Sequence, residues 1–145
     1  VIVAAVRKTR AAVDLLHAAF AVRRARRAVS RTPLGGLVQP GPSDLPADVA
    51  PQLDAAEQRV AARWGAAVDR ALRWTPGDSA CLVRASALRD LVVVRGLPRA
   101  TVRIGVRRGS DGFAAHAWVE QDGVPIAEPV KLQGGFVSLD GVTLR

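Results

Sequence analysis

Cys81 is the only cysteine in the chain, and it heads Cys81-Leu82-Val83-Arg84-Ala85-Ser86-Ala87-Leu88, a stretch that reads as the start of a helix. A thiol attacks carbonyl carbon as its thiolate, and two simple devices favour that form: a helix N-terminus and a neighbouring imidazolium. Position supplies the first. For the second the chain has only His17 and His116. His17 lies on a basic N-terminal helix and reads as an ordinary helix-face histidine. His116 falls mid-strand in Phe113-Ala114-Ala115-His116-Ala117-Trp118, where the small neighbours leave room for another element to approach. Singly, each has a plainer reading, the cysteine as a small buried apolar group and the histidine as a half-buried structural one. Together, a thiol on a helix start and a histidine on a following strand form the arrangement of papain-like enzymes.

Elements must be found that could bring them together. Val6, Val13, Leu16 and Phe20 recur at helical spacing and predict a first helix over residues 4–29, with Arg23, Arg24, Arg26 and Arg27 in its C-terminal turns, where the helix dipole favours positive charge. From Thr32 to Pro51, five prolines and three glycines break regular structure and read as a linker. A second helix is expected from about Pro51 to Trp74, with Asp48 as a candidate cap and a stripe through Leu53, Ala56, Val60, Trp64, Val68 and Leu72. A third covers roughly Ser79 to Arg95, capped by Asp78 or Ser79 and closed by Gly96-Leu97-Pro98, with Cys81, Ala85, Leu88 and Val92 on one packing face.

After Pro98 the period changes. Val102, Ile104 and Val106 alternate with Arg103, Gly105 and Arg107, predicting a strand; Phe113 to Glu120 follows as a second and Val124 to Glu128 as a third, with a weak hairpin in the tail from Lys131 to Arg145. Helices followed by an antiparallel meander define an α+β fold, divided here into a basic helix and linker over 1–50 and a main domain over 51–145.

A third group should orient the imidazole, and strand register decides whether Glu128 can. A three-residue loop Gln121-Asp122-Gly123 would pair His116 with Glu128. A two-residue loop at Asp122-Gly123 would pair His116 with Pro129 and turn Glu128 to the other face. Asp122 itself reads as turn chemistry.

Composition narrows the classes. One cysteine excludes an internal disulfide, no clustered Cys/His spacing calls for a metal, and a reducing cytoplasm is the expected setting. No run of about 18 apolar residues exists to span a membrane, and the apolar stretch from Ala11 to Val22 lacks a signal-cleavage ending. With no initiator methionine, the start is expected to be processed, trimmed or written from another codon. The net charge of +8 is uneven: residues 1–31 carry eight basic side chains against Asp14 alone, and the rest is close to neutral. A localised basic arm implies an acidic partner.

The ordered set Cys81-Leu82-Val83-Arg84, Arg95-Gly96-Leu97-Pro98, Ile104-Gly105-Val106-Arg107, Ala115-His116-Ala117-Trp118-Val119-Glu120 and Asp122-Gly123 resembles the lasso-peptide biosynthesis B protein, in its stand-alone transglutaminase-like leader peptidase half. The match covers about residues 74–129. It implies a papain/transglutaminase-like cysteine protease fold without cofactor or metal, and removal of the leader from a ribosomally made precursor. It also implies a catalytic set of Cys81, His116 and, where the family more usually has Asp, Glu128. The partners implied are the precursor, a small leader-recognition protein and, further along, the ATP-dependent lasso cyclase. The basic helix, over residues 10–27, would dock the leader complex through its charge and through Leu16 and Phe20. A transglutaminase-type acyl transferase shares the same thioester and competes with this reading. So does a silent peptide-binding relative. A nucleic-acid-binding module is disfavoured by an aromatic content of 4% and the lack of a zinc or helix-turn-helix signature.

Overall fold

Three helices precede a four-stranded antiparallel sheet in the computed structural model, which describes residues 2–31, 52–74, 80–110, 112–128 and 135–139. Helix α1 runs Ile2–Arg31, α2 Ala55–Arg73 and α3 Ala80–Val93. Strand β1 is Ala100–Gly109, β2 Gly112–Gln121, β3 Val124–Pro125 and β4 Val137–Ser138, in the sheet order β3-β2-β1-β4. This is the expected α+β arrangement, with the sheet curled behind the helices. The expected linker, and with it Asp48 and Pro51, lies outside the described residues, as do Asp78 and Ser79.

The stripe that signals α1 in the sequence is not the face the helix buries. Ala18, Ala21, Val22 and Ala25 are buried against α2 and α3, whereas Leu16 and Phe20 are 70% and 66% exposed and Val6 and Val13 are exposed as well. Small side chains let helix axes approach closely, so the alanine face makes the packing seam and the bulky residues are left outside. An ion pair pins the α1–α2 side of the seam at its edge: Arg63 Nε on α2 donates to Asp14 Oδ2 at 2.7 Å. That hydrogen bond, with the charge of the guanidinium, holds the Asp14 carboxyl below its ordinary range despite burial. A carboxyl depressed on folding adds stability that is complete above its unfolded pKa of about 3.9 and is lost as the pH falls through the lower folded value. Asp14→Asn should therefore lower the melting temperature at neutral pH, and the gap to wild type should close in acid; parallel melting curves at both pH values would contradict this.

Helix α2 begins later than expected, at Ala55, because Asp54 makes a capping box. Its carboxylate accepts from the backbone N–H of Ala56 and Glu57 at 2.7 and 2.8 Å, and Glu57 accepts in return from the Asp54 N–H at 2.9 Å. Helix α3 is buried on most of its circumference, with Ala85, Leu88 and Val92 fully enclosed below Cys81. It ends as expected: Gly96 takes φ +118° and the Leu97 N–H donates to the Val92 carbonyl at 3.0 Å, a Schellman closure.

In the sheet, Ala100, Val102 and Ile104 pair with Gln121, Val119 and Ala117 on the face that joins the helical core. Thr101, Arg103 and Gly105 pair with Glu120, Trp118 and His116 on the other. The tail adds β4 to the free edge of β1, pairing Val137 with Val106 and Ser138 with Gly105; most of the expected tail hairpin, 131–134 and 140–145, lies outside the described residues. The third strand is shorter than the sequence predicts, and that difference shapes the site.

Candidate active site

Asp122 and Gly123 both take positive φ, +52° and +80°, and join β2 to β3 as a two-residue type I′ turn. Arg99 clamps the Asp122 carboxylate through two hydrogen bonds of 2.6 Å, which assigns Asp122 to the turn. The register is thus Gln121 with Val124 and Glu120 with Pro125, and the Ile126 N–H donates to the Val119 carbonyl at 2.9 Å. The three-residue loop is not formed. Strict alternation from this register would set Glu128 opposite Ala117 on the core face, away from the imidazole.

The chain avoids that outcome at Ala127. Its φ of +52° is left-handed, a conformation that costs a residue with a Cβ about 1–2 kcal/mol. The twist ends β3 and swings Glu128 back over the strand, so that Glu128 Oε2 lies 2.9 Å from His116 Nε2. The sequence-based pairing of His116 with Glu128 is therefore realised by a backbone bend instead of by ladder register.

Two contacts hold the bend. Arg84, one helical turn beyond Cys81, donates from one guanidinium nitrogen to the Ala127 carbonyl at 2.6 Å and from another to Glu128 Oε1 at 2.8 Å; its Nε reaches Asp69 on α2 at 2.6 Å. Burial works against the charge of Arg84, but the hydrogen bonds and charges of Asp69 and then Glu128 outweigh it and hold the guanidinium above its usual range. The second contact is with α2 itself. Ala127 packs onto Gly65 so closely that a Cβ on residue 65 would sit 2.5 Å from the Ala127 Cβ. Gly65→Ala, a change that otherwise favours a helix, should here push the 127–128 bend outward. We expect lower turnover with little change in the content of helix by circular dichroism; unchanged turnover would show that the bend tolerates displacement.

The imidazole is walled by aromatic rings. Trp118 lies nearly parallel to it with centroids 6.1 Å apart, and Phe136 from the returning tail sits at 5.4 Å. Trp118 is fixed in turn by its indole N–H donating to Glu120 Oε1 at 2.7 Å, with Arg103 bonding the other carboxylate oxygen at 3.0 Å. Gly105 makes room for the indole, since a Cβ there would fall 2.7 Å from it.

Cys81 occupies the first turn of α3, partly exposed and packed at the margin of the core. The structure therefore brings His116 and Glu128 into contact and sets the thiol on the helix that carries Arg84. Among the described residues no hydrogen bond joins Cys81 to His116. Trp74 caps the C-terminal end of α2 and is 80% exposed. His17 faces Trp64 across the α1–α2 seam, with centroids at 6.2 Å. Among the described residues, no three His, Cys, Asp or Glu side chains gather to hold a metal ion, and no helix is long and apolar enough to cross a membrane.

Arg84, Phe136 and the Gly65–Ala127 contact have no role in the sequence reading. For Arg84 a signal existed: an arginine on the turn after the cysteine of a largely apolar helix must find carboxylate partners if buried. Phe136 and the Gly65–Ala127 contact depend on tertiary approach and leave no local mark.

A thiol at a helix start, followed by a histidine and carboxylate on an antiparallel sheet, is the order of parts of a cysteine-dependent acyl-transfer fold. Residues 3–139 match the profile of the transglutaminase-like superfamily, and the chain belongs to that superfamily, which includes cysteine peptidases and acyltransferases. No curated protein and no solved structure matches it.

Proposed function

We propose that the chain is a cysteine peptidase that removes the leader from a lasso-peptide precursor, with Cys81 as nucleophile, His116 as general base and acid, and Glu128 as the orienting carboxylate. The observation that carries this reading is the His116 Nε2 to Glu128 Oε2 contact of 2.9 Å. A carboxylate can only accept, so the neutral ring keeps its proton on Nε2 and leaves the Nδ1 lone pair for the thiol. Hydrogen bonds between catalytic groups in unliganded enzymes often tighten only when substrate binds, so a loose thiol is compatible with the role.

Cys81 gives its proton to His116 Nδ1 and attacks the carbonyl at the leader–core junction. Collapse of the tetrahedral adduct breaks the C–N bond, and the imidazolium returns the proton to the departing amine of the core peptide. Water then gives a proton to Nδ1, attacks the thioester and releases the leader carboxylate with the free thiol. Backbone N–H groups in the first turn of α3 are the candidate oxyanion donors. A small leader-recognition protein would deliver the precursor, and the ATP-dependent cyclase would take up the freed core.

The test is incubation of the chain and its recognition partner with a leader-bearing precursor, read by mass spectrometry. Two fragments whose masses sum to the precursor plus one water support the peptidase. A mass gain from an added amine would identify the acyl transferase, and an intact precursor would end the enzymatic reading.

A further inference from the structure

The seam between α1 and α2 opens into a groove of about 970 Å³ that the proposed chemistry does not use. Five arginines line it (Arg7, Arg10, Arg59, Arg63 and Arg95) against a single acid, Asp14, which Arg63 already occupies. Among the described residues no salt bridge forms at Arg7, Arg10 or Arg59, although the charge of Arg10 also acts on Asp14. Arg63 and Arg95 flank the indole of Trp64, their guanidinium carbons 5.0 and 4.2 Å from the ring centroid. Val13 and Val60 add aliphatic surface to the walls, and Leu16 and Phe20 stand exposed further along α1.

We infer that this groove docks an acidic, leucine-bearing peptide segment of a partner protein. Charge complementarity selects the sign of the occupant: five cations that outnumber their single counterion repel one another, and a carboxylate-rich segment removes that repulsion. Shape and apolar surface select the class. Single-stranded nucleic acid needs aromatic faces to stack on, and here Trp64 is only 3% exposed beneath its two arginines. The aliphatic wall of Val13 and Val60 suits instead the side chains of an amphipathic peptide, with its carboxylates on the arginines. That the segment belongs to the delivered precursor or its carrier rests on the proposed function; the binding of an acidic peptide does not.

The experiment measures binding in the Cys81→Ala chain, so that its outcome is independent of catalysis. A fluorescein-labelled peptide alternating Glu and Leu is titrated by anisotropy, with its Lys/Leu counterpart and a single-stranded DNA oligonucleotide as competitors. We expect saturable binding that weakens with salt. A triple variant with Arg7→Ser, Arg10→Ser and Arg59→Ser should weaken it about tenfold or more, and Val13→Asp should weaken it too. Arg107→Ser with Arg108→Ser, on the exposed end of β1, should leave it unchanged. Equal losses in both arginine sets would show a diffuse charge effect and overturn the site. So would full displacement by the oligonucleotide at lower concentration than by unlabelled acidic peptide, or no saturable binding at all.

Discussion

Cys81→Ala and His116→Ala should each slow precursor cleavage by about ten-thousand-fold or more, and the double variant should be scarcely slower than either. The magnitude follows from the division of labour. Without the sulfur no thioester forms. Without the ring the thiol has no acceptor for its proton and the leaving amine no donor, so attack and departure both lose their proton transfer. Since the two groups act on one step, their losses do not add. Neither change should unfold the chain. Cys81 lies partly exposed at the start of α3, where shortening to Ala leaves no closed cavity. His116→Ala removes one partner of Glu128 but leaves Arg84 bonded to its Oε1, so the buried carboxylate keeps a cation. Cleavage by purified chain with its recognition partner, followed by mass spectrometry, measures the loss, and superimposable melting curves exclude misfolding. Alkylation with iodoacetamide gives a second readout, since His116→Ala should slow labelling of Cys81 whereas a structural histidine would leave it alone. A Cys81→Ala chain that cleaves at the wild-type rate would dispose of the mechanism.

The α+β order was legible because hydrophobic period is local. The switch from helical spacing to alternation after Pro98 shows where helices give way to strands, and Gly96-Leu97-Pro98 does close α3 through a Schellman motif. Burial was less legible. The spacing of Val6, Val13, Leu16 and Phe20 finds α1 but not its packing face, because which face is covered depends on what α2 and α3 can approach closely. The site shows the same boundary more sharply. The I′ turn at Asp122-Gly123 was one of two readings open from the dipeptide, and it alone would have taken Glu128 away from His116. The contact exists because Ala127 adopts a left-handed conformation that no alanine announces in sequence. Gly65 gives the bend its space and Arg84 gives it a hydrogen-bond partner, from two helices far from it along the chain. Local physics thus predicts the candidate groups, and tertiary contacts decide how the carboxylate arrives.

Arg84 also makes the effect of Glu128→Gln predictable in direction. The side chain of Glu128 is 3% exposed and lies between the guanidinium of Arg84 and the imidazole of His116. A glutamine there has one acceptor and one donor group to share between them. Arg84 can only donate, so the amide oxygen must turn to it, and the amide NH₂ then faces His116 Nε2. That nitrogen becomes the acceptor, the ring proton moves to Nδ1, and the lone pair needed by the thiol is gone. Turnover should fall by about a thousand- to ten-thousand-fold, as expected when a buried carboxylate that fixes a histidine tautomer is made an amide, with little loss of stability. Arg84→Met alone should behave differently. It removes the guanidinium from the buried Glu128 carboxylate, which costs about 3–5 kcal/mol and should be seen as an early urea midpoint. Joining the two substitutions removes the buried charge and should restore much of the stability. It also frees the amide to present its oxygen to Nε2, so Glu128→Gln should cost markedly less activity in the Arg84→Met chain than in the wild type. The ring ¹⁵N shifts of His116 report the tautomer directly. If Glu128→Gln leaves the proton on Nε2, or costs the same activity in both backgrounds, Arg84 does not govern the carboxylate and the orienting role passes to another group.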